Sequence, residues 1–352
     1  MNTTLKISID KLISHKPLSK EDFVALLNEN SKELRAQLAH YASKAKETYF
    51  DNHIYIRGLI EFTNYCKNDC YYCGIRCSNH SITRFRLSKE EILTCCETGH
   101  ALGFRTFVLQ GGEDSYYTDE RMCDIVNTIH TQYPDCAITL SLGERNYESY
   151  KRLFNAGASR YLLREETSDF AHYNMLHPSN MTLEKRLQCL HDLKAIGYQV
   201  GCGFMVGSPF QTPEHLAEDL LFIQDFKPDM VGIGPFISHQ NTPFKNHANG
   251  SLEDTLLLLS ILRLLQPTLL LPATTALGTI SLDGREQGIL AGANVIMPNL
   301  SPVNIRQQYS LYDNKICTDA EAAENLNLLK ERMNAIDQRI IIHKGDSPHH
   351  NP

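Results

Sequence analysis

Three cysteines lie within eight residues of this 352-residue chain, at Cys66, Cys70 and Cys73. They follow directly on the apolar segment 54–62, which favours a buried strand. Thiolates at this density usually share one metal centre. Three protein ligands, where a closed tetrahedral site uses four, leave one coordination position for a small molecule. The spacing therefore predicts a metal centre with an open position.

Two other interpretations fit the same residues. The three cysteines fall at i, i+4 and i+7, which is one face of a helix, so a buried cysteine stripe is geometrically possible. Cys77 extends the pattern to C-x₃-C-x₂-C-x₃-C and His80 is a spare ligand, so a closed structural zinc site is also possible. The stripe is disfavoured because it would place one scarce residue type at all three positions, directly after a strand. A zinc site remains the stronger rival.

Eight strand-like segments alternate with helical patterns from residue 53 onward. The strands are predicted at 54–62, 106–110, 137–142, 160–164, 199–205, 230–234, 269–271 and 294–297. The intervening helices are predicted at 89–99, 119–133, 147–156, 183–196, 214–226, 252–265 and 285–292. This alternation indicates an α/β fold with a parallel sheet, and the number of strands indicates a (β/α)₈ TIM-type barrel. The seventh strand is short, so a partly open barrel remains possible.

The barrel is flanked by two extensions in this interpretation. Residues 1–50 form an N-terminal helical extension, residues 51–300 the barrel, and residues 301–340 a short C-terminal extension that closes it. The polar residues 341–352 are expected to be a disordered tail. Barrel sites form at the C-terminal ends of the strands, which is where the cysteines and the segments 110–114, 141–144, 164–167 and 272–275 fall.

Composition excludes several classes of protein. The formal net charge of −7 and the pI near 6.1 argue against nucleic-acid binding through bulk charge. Residues 1–30 lack the apolar core of a secretory signal, and the stretch 256–271 is too short and too interrupted to span a bilayer. Eleven cysteines in such a chain favour reduced thiols over a disulfide framework. A cytoplasmic protein without membrane contact is expected.

The cysteine spacing, with Tyr72 before the last cysteine, resembles the signature of the radical S-adenosylmethionine (SAM) enzymes. In that superfamily three thiolates hold a 4Fe–4S cluster, and SAM chelates the fourth iron. The similarity extends to the HydE family, which acts in assembling the di-iron subcluster of FeFe-hydrogenase. It runs in one register from about residue 50 to 317 and includes segments 56–62, 110–114, 141–144, 160–164, 231–236, 272–278 and 293–299.

The resemblance implies a role for individual residues. Cys66, Cys70 and Cys73 would ligate the cluster. Tyr72 and Met205 would line the adenine site of SAM. Gly111, Gly112 and Glu113 would receive its methionine amino group. Glu166 and Arg186 would contact its ribose and its carboxylate.

Six further residues match positions that line the HydE barrel interior: Thr139, Arg160, Arg164, Thr274, Thr275 and Tyr309. Arg160 and Arg164 lie four apart, which points both to the same side of a strand. Two guanidinium groups inside a barrel are costly to bury unless they meet anions, so they predict an anionic ligand. The alternative is an internal salt bridge with Glu165, Glu166 or Glu144, which would account for one arginine more readily than for both. The resemblance implies a small iron–carbonyl–cyanide–cysteine precursor as that substrate.

The resemblance also bears on partners and on a second cluster. It implies an electron donor such as a ferredoxin or flavodoxin, and other hydrogenase maturases. Some HydE proteins carry a second cluster on three C-terminal cysteines, but only Cys317 matches here and no cysteine follows it. One cluster is therefore expected, and Cys77 falls outside the family pattern. A methylornithine synthase-like or biotin synthase-like enzyme, and a non-catalytic zinc-stabilised scaffold, are the alternatives.

Overall fold

The structure is a computed structural model that describes residues 3–316 and 323–350. Cys317, considered above for a second cluster, lies outside the described residues. The helices are α1 (Thr3–Ile13), α2 (Lys20–Glu29), α3 (Lys32–Phe50), α4 (Lys89–Ala101), α5 (Asp119–Gln132), α6 (Tyr147–Asn155), α7 (Phe170–Leu176), α8 (Leu183–Ile196), α9 (Pro213–Phe226), α10 (Leu252–Leu265), α11 (Thr275–Ile280), α12 (Gly284–Leu290), α13 (Val303–Arg306) and α14 (Leu326–Asn334). The strands are β1 (His53–Ile56), β2 (Gly58–Thr63), β3 (Thr106–Gly111), β4 (Ala137–Ser141), β5 (Arg160–Leu162), β6 (Gln199–Cys202), β7 (Met205–Val206), β8 (Met230–Val231), β9 (Gly234–Pro235), β10 (Val295–Ile296) and β11 (Arg339–Ile341).

The central sheet is parallel, as the alternation of strands and helices predicts. Six strands pair in the order β2-β3-β4-β5-β6-β8, and β1 pairs in parallel with β10. Single parallel bridges continue the series from Met230 in β8 to Leu270 and from Pro272 to Val295 in β10. The eight positions of a (β/α)₈ barrel are therefore present. The predicted seventh strand, 269–271, is reduced to such bridges.

Two of the predicted strands are interrupted. The segment predicted as 54–62 forms β1 and β2, separated at Arg57, and the segment predicted as 199–205 forms β6 and β7. Gly203 lies at the second break with φ of +148°, and a side chain there would collide with the carbonyl oxygen of Gly232. At the β6–β7 break the backbone of residue 203 therefore packs closely against Gly232, between β8 and β9.

The N-terminal helices cover the outside of the barrel. Helix α3 packs on α10, and α2 packs on α9. This explains why α10 is buried around its whole circumference and largely apolar: residues 257–264 all lie between the barrel and α3. No helix among residues 3–316 and 323–350 is long and apolar enough to cross a membrane.

The C-terminal segment, for which a disordered tail is predicted at residues 341–352, packs against the barrel in its described part. Strand β11 adds in parallel to β1, and the chain beyond it crosses the end of the barrel where the strands begin. There Asp346 accepts hydrogen bonds from Arg160 and from Gln199, both at 2.7 Å. A polar segment was expected to stay in solvent, but its carboxylate pairs with a buried arginine 186 residues earlier in the chain.

Candidate active site

The three cysteines lie in an irregular loop between β2 and α4. Arg84 stabilises this loop by donating to the backbone carbonyl oxygens of Ile75, Arg76 and Asn79 at 2.8, 2.6 and 3.0 Å. Asn64 also fixes the base of the loop, because its side-chain amide donates to Thr83 O and Gln308 O, both at 2.8 Å. A segment without regular secondary structure is thus held through side-chain contacts to its backbone.

Cys66, Cys70 and Cys73 all line one cavity of about 340 Å³, whereas Cys77 is exposed and does not line it. Burial raises the pKa of Cys66 and Cys70, and raises that of Cys73 to about 12. The free thiols are therefore neutral at pH 7, and metal ligation has to displace their protons.

The spacing of the sulfur atoms bears on the zinc alternative. Among the residues that the structure describes, no three of the Cys66, Cys70, Cys73 and Cys77 sulfurs lie within 4.8 Å of one another. A tetrahedral zinc ion with 2.3 Å bonds requires sulfurs about 3.8 Å apart. A cluster in which each cysteine binds a different iron accepts a wider arrangement. The three cavity thiols therefore fit a 4Fe–4S cluster better than a single zinc ion.

A glycine turn after β3 packs directly against the cysteine loop. A Cβ atom at Gly112 would lie 2.2 Å from Tyr65 O and 2.7 Å from Cys66 Cβ, so only glycine fits. The side chain of Glu113, the next residue, accepts a hydrogen bond from Glu144 N at 2.9 Å and forms an ion pair with Lys67 at 3.1 Å. Gly111, Gly112 and Glu113, which are the predicted contacts to the methionine amino group, all line the cavity.

Two ion pairs lie side by side at the ends of β4 and β5. Arg186 on α8 is 2.9 Å from Glu144, and Arg164 is 3.0 Å from Glu166. These contacts lack hydrogen-bond alignment: Glu166 Oε2 and the Nε and Nη2 atoms of Arg164 make no hydrogen bond within the described chain. Burial raises the pKa of Glu166, although the positive charges of Arg164 and Arg186 lower it in part. These polar atoms remain available to a ligand.

Glu166 has a strained backbone. Its φ is +68°, which a residue with a side chain rarely adopts. The conformation is held because Glu166 N donates to Gly203 O at 3.0 Å, while the buried Glu165 accepts from Gly203 N at 2.8 Å. Such strain is frequent at functional sites and here directs the Glu166 carboxylate into the cavity.

The predicted adenine residues form an apolar wall of the cavity. Tyr72 and Met205 line it and pack in one cluster with Leu176, Phe236 and Phe244. The Tyr72 hydroxyl is 3.1 Å from His177 Nε2, and burial raises the pKa of Tyr72 well above its usual range. The tyrosine is therefore neutral at pH 7, and this wall can accept a flat, uncharged ring.

Two of the six predicted interior residues do not line the cavity. Arg160 is fully buried at the start of β5, where it donates to Thr106 Oγ1 and Asp346 Oδ1 at 3.1 and 2.7 Å. Four residues along a strand span about 13 Å, which places Arg160 and Arg164 at opposite ends of the barrel, so the two arginines do not line one cavity. Thr139 is buried within β4. Arg164, Thr274, Thr275 and Tyr309 do line the cavity.

Sequence reasoning missed an ion pair inside the cavity. Glu61 on β2 is 1% exposed and pairs with Lys315, while its second oxygen accepts from Asn299 at 2.9 Å. A charged residue between Ile60 and Phe62 in a buried strand was the available signal for Glu61. No local pattern identifies Lys315, because its role depends on a long-range contact.

Lys315 belongs to a segment that crosses the mouth of the cavity, residues 309–316, which we call the strap. Leu311 O accepts from Gly74 N in the cysteine loop at 2.8 Å, and Asp313 N donates to Ser238 O at 3.0 Å. Tyr309, Leu311, Tyr312 and Lys315 line the cavity. The strap therefore connects the cysteine loop to the β9–α10 connection and covers the site.

Comparisons with known proteins agree with this geometry. The profile of the radical SAM superfamily matches residues 60–223. The chain is 42% identical over 305 residues to the [FeFe] hydrogenase maturase subunit HydE of Thermotoga maritima, covering 87% of each chain. It is 31% identical over 289 residues to the 3-methylornithine synthase of Methanosarcina acetivorans, covering 82% of this chain and 81% of that protein.

Solved structures share the fold. The crystal structure of methylornithine synthase (PylB) has a TM-score of 0.83 at 28% identity and covers 94% of this chain and 96% of its own. A structure of the maturase HydG has a TM-score of 0.76 at 22% identity, with 94% and 75% coverage, and supports the fold alone. The cavity-facing thiols, the extent of the similarity and the 42% identity together place the chain in the radical SAM superfamily and, within it, in the HydE family of hydrogenase maturases.

Proposed function

We propose that this chain is a HydE-type maturase that acts on a small precursor of the FeFe-hydrogenase di-iron subcluster. The observation that carries the proposal is one covered cavity that contains all three thiols and the residues expected to hold SAM. When a 4Fe–4S cluster and SAM are bound there, reductive cleavage of SAM supplies a 5′-deoxyadenosyl radical.

The residues of the chain would divide the work of binding SAM. Cys66, Cys70 and Cys73 hold the cluster. Gly112 packs against the cysteine loop, and Glu113, which follows it, lines the same cavity as the three cysteines, so its carboxylate would be available to the amino group of SAM. Glu166 and Arg186 bind polar groups of the ligand, since both line the cavity with polar atoms that lack aligned partners.

The remaining lining residues would bind the substrate. Arg164 offers two nitrogens that make no hydrogen bond, and Thr274 Oγ1 has none within the described residues. Both suit an anionic group such as the carboxylate or cyanide of an iron–carbonyl–cyanide–cysteine precursor. Thr275 and Tyr309 complete this side of the cavity, and residues of the strap cover it. A ferredoxin or flavodoxin would supply the electron, and other maturases would provide the precursor and receive the product, in the cytoplasm.

The first test is anaerobic reconstitution with iron and sulfide, followed by reduction with dithionite in the presence of SAM. We expect about four irons per chain and the formation of 5′-deoxyadenosine. Cys70→Ala should lose the cluster and the cleavage together. Cys77→Ala is the matched control and should keep both, because Cys77 lies outside the cavity. Stoichiometric zinc in a colourless protein, lost in Cys77→Ala, would instead support the zinc scaffold.

The second test separates HydE activity from that of the methylornithine synthases, which share the fold. The purified protein is added to an in vitro maturation of FeFe-hydrogenase that lacks only this component. Restored hydrogenase activity supports the proposal. Formation of 3-methylornithine without restored hydrogenase activity contradicts it.

A further inference from the structure

Three side chains of metal-binding type meet at the end of the barrel opposite the cavity. His100 lies near the end of α4, and Asp135 and Cys136 lie in the connection from α5 to β4. The cluster cysteines follow the end of a strand, whereas Cys136 immediately precedes the start of one. The two groups are thus separated by the height of the sheet.

The distances suit a single ion. His100 Nε2 is 3.2 Å from Asp135 Oδ1, and Cys136 Sγ is 3.8 Å from the same oxygen. All three donor atoms lie within 4.8 Å of one another. Tetrahedral zinc at ordinary bond lengths requires about 3.3 Å between nitrogen and oxygen and about 3.5 Å between oxygen and sulfur. Shifts of a few tenths of an ångström in these two separations reach that geometry.

A neighbouring arginine holds the carboxylate in position. Arg105 Nε is 2.8 Å from Asp135 Oδ2, and its Nη1 donates to Phe104 O and His100 O at 2.9 and 3.2 Å. His100 Nε2 also lies 3.1 Å from Oδ2, so Arg105 and His100 share that oxygen, whereas Oδ1 is the oxygen that both His100 and Cys136 approach. Tyr133 packs against the imidazole with ring centroids 5.0 Å apart. Both ligand side chains are therefore oriented by residues that would not touch the metal.

We propose that His100, Asp135 and Cys136 bind one zinc-like divalent cation, with water in the fourth position. Nitrogen, oxygen and thiolate donors form a set that zinc accepts. Binding releases the thiol proton, and the resulting thiolate and the carboxylate together neutralise the two charges of the ion. The ion would link the α4–β3 connection to the α5–β4 connection and stabilise this end of the barrel. The proposal does not depend on the function of the cavity.

Zinc retention by the iron-loaded protein tests the proposal. The protein is incubated with one equivalent of zinc per chain, desalted, and analysed for zinc and iron by mass spectrometry. We expect one zinc per chain beyond the cluster iron. Cys136→Ser and the more exposed His100→Gln should each lose the zinc without a change in iron. Cys123→Ser on α5 is the matched control, and it should retain both metals.

Cobalt provides a readout for the sulfur ligand. In a Cys66→Ser, Cys70→Ser, Cys73→Ser background, added Co²⁺ should give a thiolate-to-cobalt absorption band that zinc removes and that disappears with Cys136→Ser. Wild-type protein that retains no zinc would overturn the proposal. So would a thiolate–cobalt band that persists without Cys136. Should Cys136→Ser fail to fold, His100→Gln decides the question alone.

Discussion

The ion pair between Lys315 and Glu61 should hold the strap over the cavity. Lys315→Met removes the ammonium group but keeps much of the apolar stem. In wild type the side chains of Glu61 and Lys315 are 1% and 10% exposed, so water screens the pair little. After the substitution, the Asn299 amide is the one partner that the Glu61 carboxylate retains among the described residues while the strap is closed. Opening of the strap would hydrate the carboxylate.

The magnitude follows from the burial of the two partners. Removing one member of a buried ion pair costs about 3–5 kcal/mol. We take the lower end, about 3 kcal/mol, because Asn299 still donates to Glu61. At about 1.4 kcal/mol for each factor of ten, the strap should open at least about 100-fold more often.

Hydrogen exchange at two amides reports this opening. Gly74 N donates to Leu311 O, and Asp313 N donates to Ser238 O, so both lose protection when the strap lifts. Lys315→Met should therefore accelerate exchange about 100-fold in peptides that contain Gly74 and Asp313. Peptides from α8 are the internal control and should be unchanged.

A double-variant cycle separates the ion pair from other effects of the substitution. Glu61→Gln with Lys315→Met removes both charges and should recover most of the protection that Lys315→Met alone loses. A coupling energy below about 0.5 kcal/mol would refute the reasoning, because the pair would then behave like an exposed one. Equal acceleration in α8 would also refute it, since that outcome indicates global unfolding rather than opening of the strap.

The remaining predictions concern the glycine turn and two buried charges. Gly112→Ala should abolish SAM binding, measured by equilibrium dialysis, because the added Cβ would lie 2.2 Å from the carbonyl oxygen of Tyr65. Gly232→Ala in the same cavity is the control and should bind SAM normally, because its Cβ would meet nothing closer than 4.0 Å. Asp346→Ala should lower the free energy of unfolding by about 1–2 kcal/mol at pH 7, less than a fully buried pair would, because Asp346 is 44% exposed beside the buried Arg160. Since the pKa of Asp346 is lowered in the folded protein, this difference should be present above about pH 4 and disappear as the pH falls through the lowered pKa. Burial lowers the pKa of Lys46 to about 8, so the charged form of Lys46 destabilises the fold. The free energy of unfolding of the wild type, measured in urea, should therefore rise between pH 8 and 10 as Lys46 loses its proton in the folded protein. Lys46→Met should show no such rise.

Helices with clear end signals were predictable from the sequence. Helix α8 occupies Leu183–Ile196 as predicted, because Thr182 caps its start and Gly197 accepts the left-handed backbone at its end. Helix α10 also matches, with Ser251 as its cap. A glycine alone was misleading at position 99, where the helix was expected to stop. Helix α4 continues to Ala101, and Gly99 instead allows close packing against Leu300.

Contacts between distant segments were not predictable. The alternation of residues along a strand correctly predicts the face of the sheet, but it carries no information on the height within the barrel. Arg160 was therefore expected beside Arg164, although its partner is Asp346 in the C-terminal segment. The same limit applies to Lys315, whose contact with Glu61 spans 254 residues. Both cases are ion pairs that the tertiary fold alone brings together.

Arg160 does not line the cavity, and this changes the charge that a substrate would meet there. Among the residues that the structure describes, the charged ones that line the cavity are three acids and three bases: Glu61, Glu113, Glu166, Arg164, Arg186 and Lys315. An excess of positive charge, which two interior arginines had suggested, is therefore absent from this lining. Recognition of the proposed anionic substrate would instead rest on local geometry. We propose that Arg164 provides it: its Nε makes no hydrogen bond, and its Nη2 makes only the unaligned 3.0 Å contact to Glu166 among the described residues. A ligand oxygen can therefore bind at Nε without displacing the Glu61–Lys315 pair that keeps the strap closed.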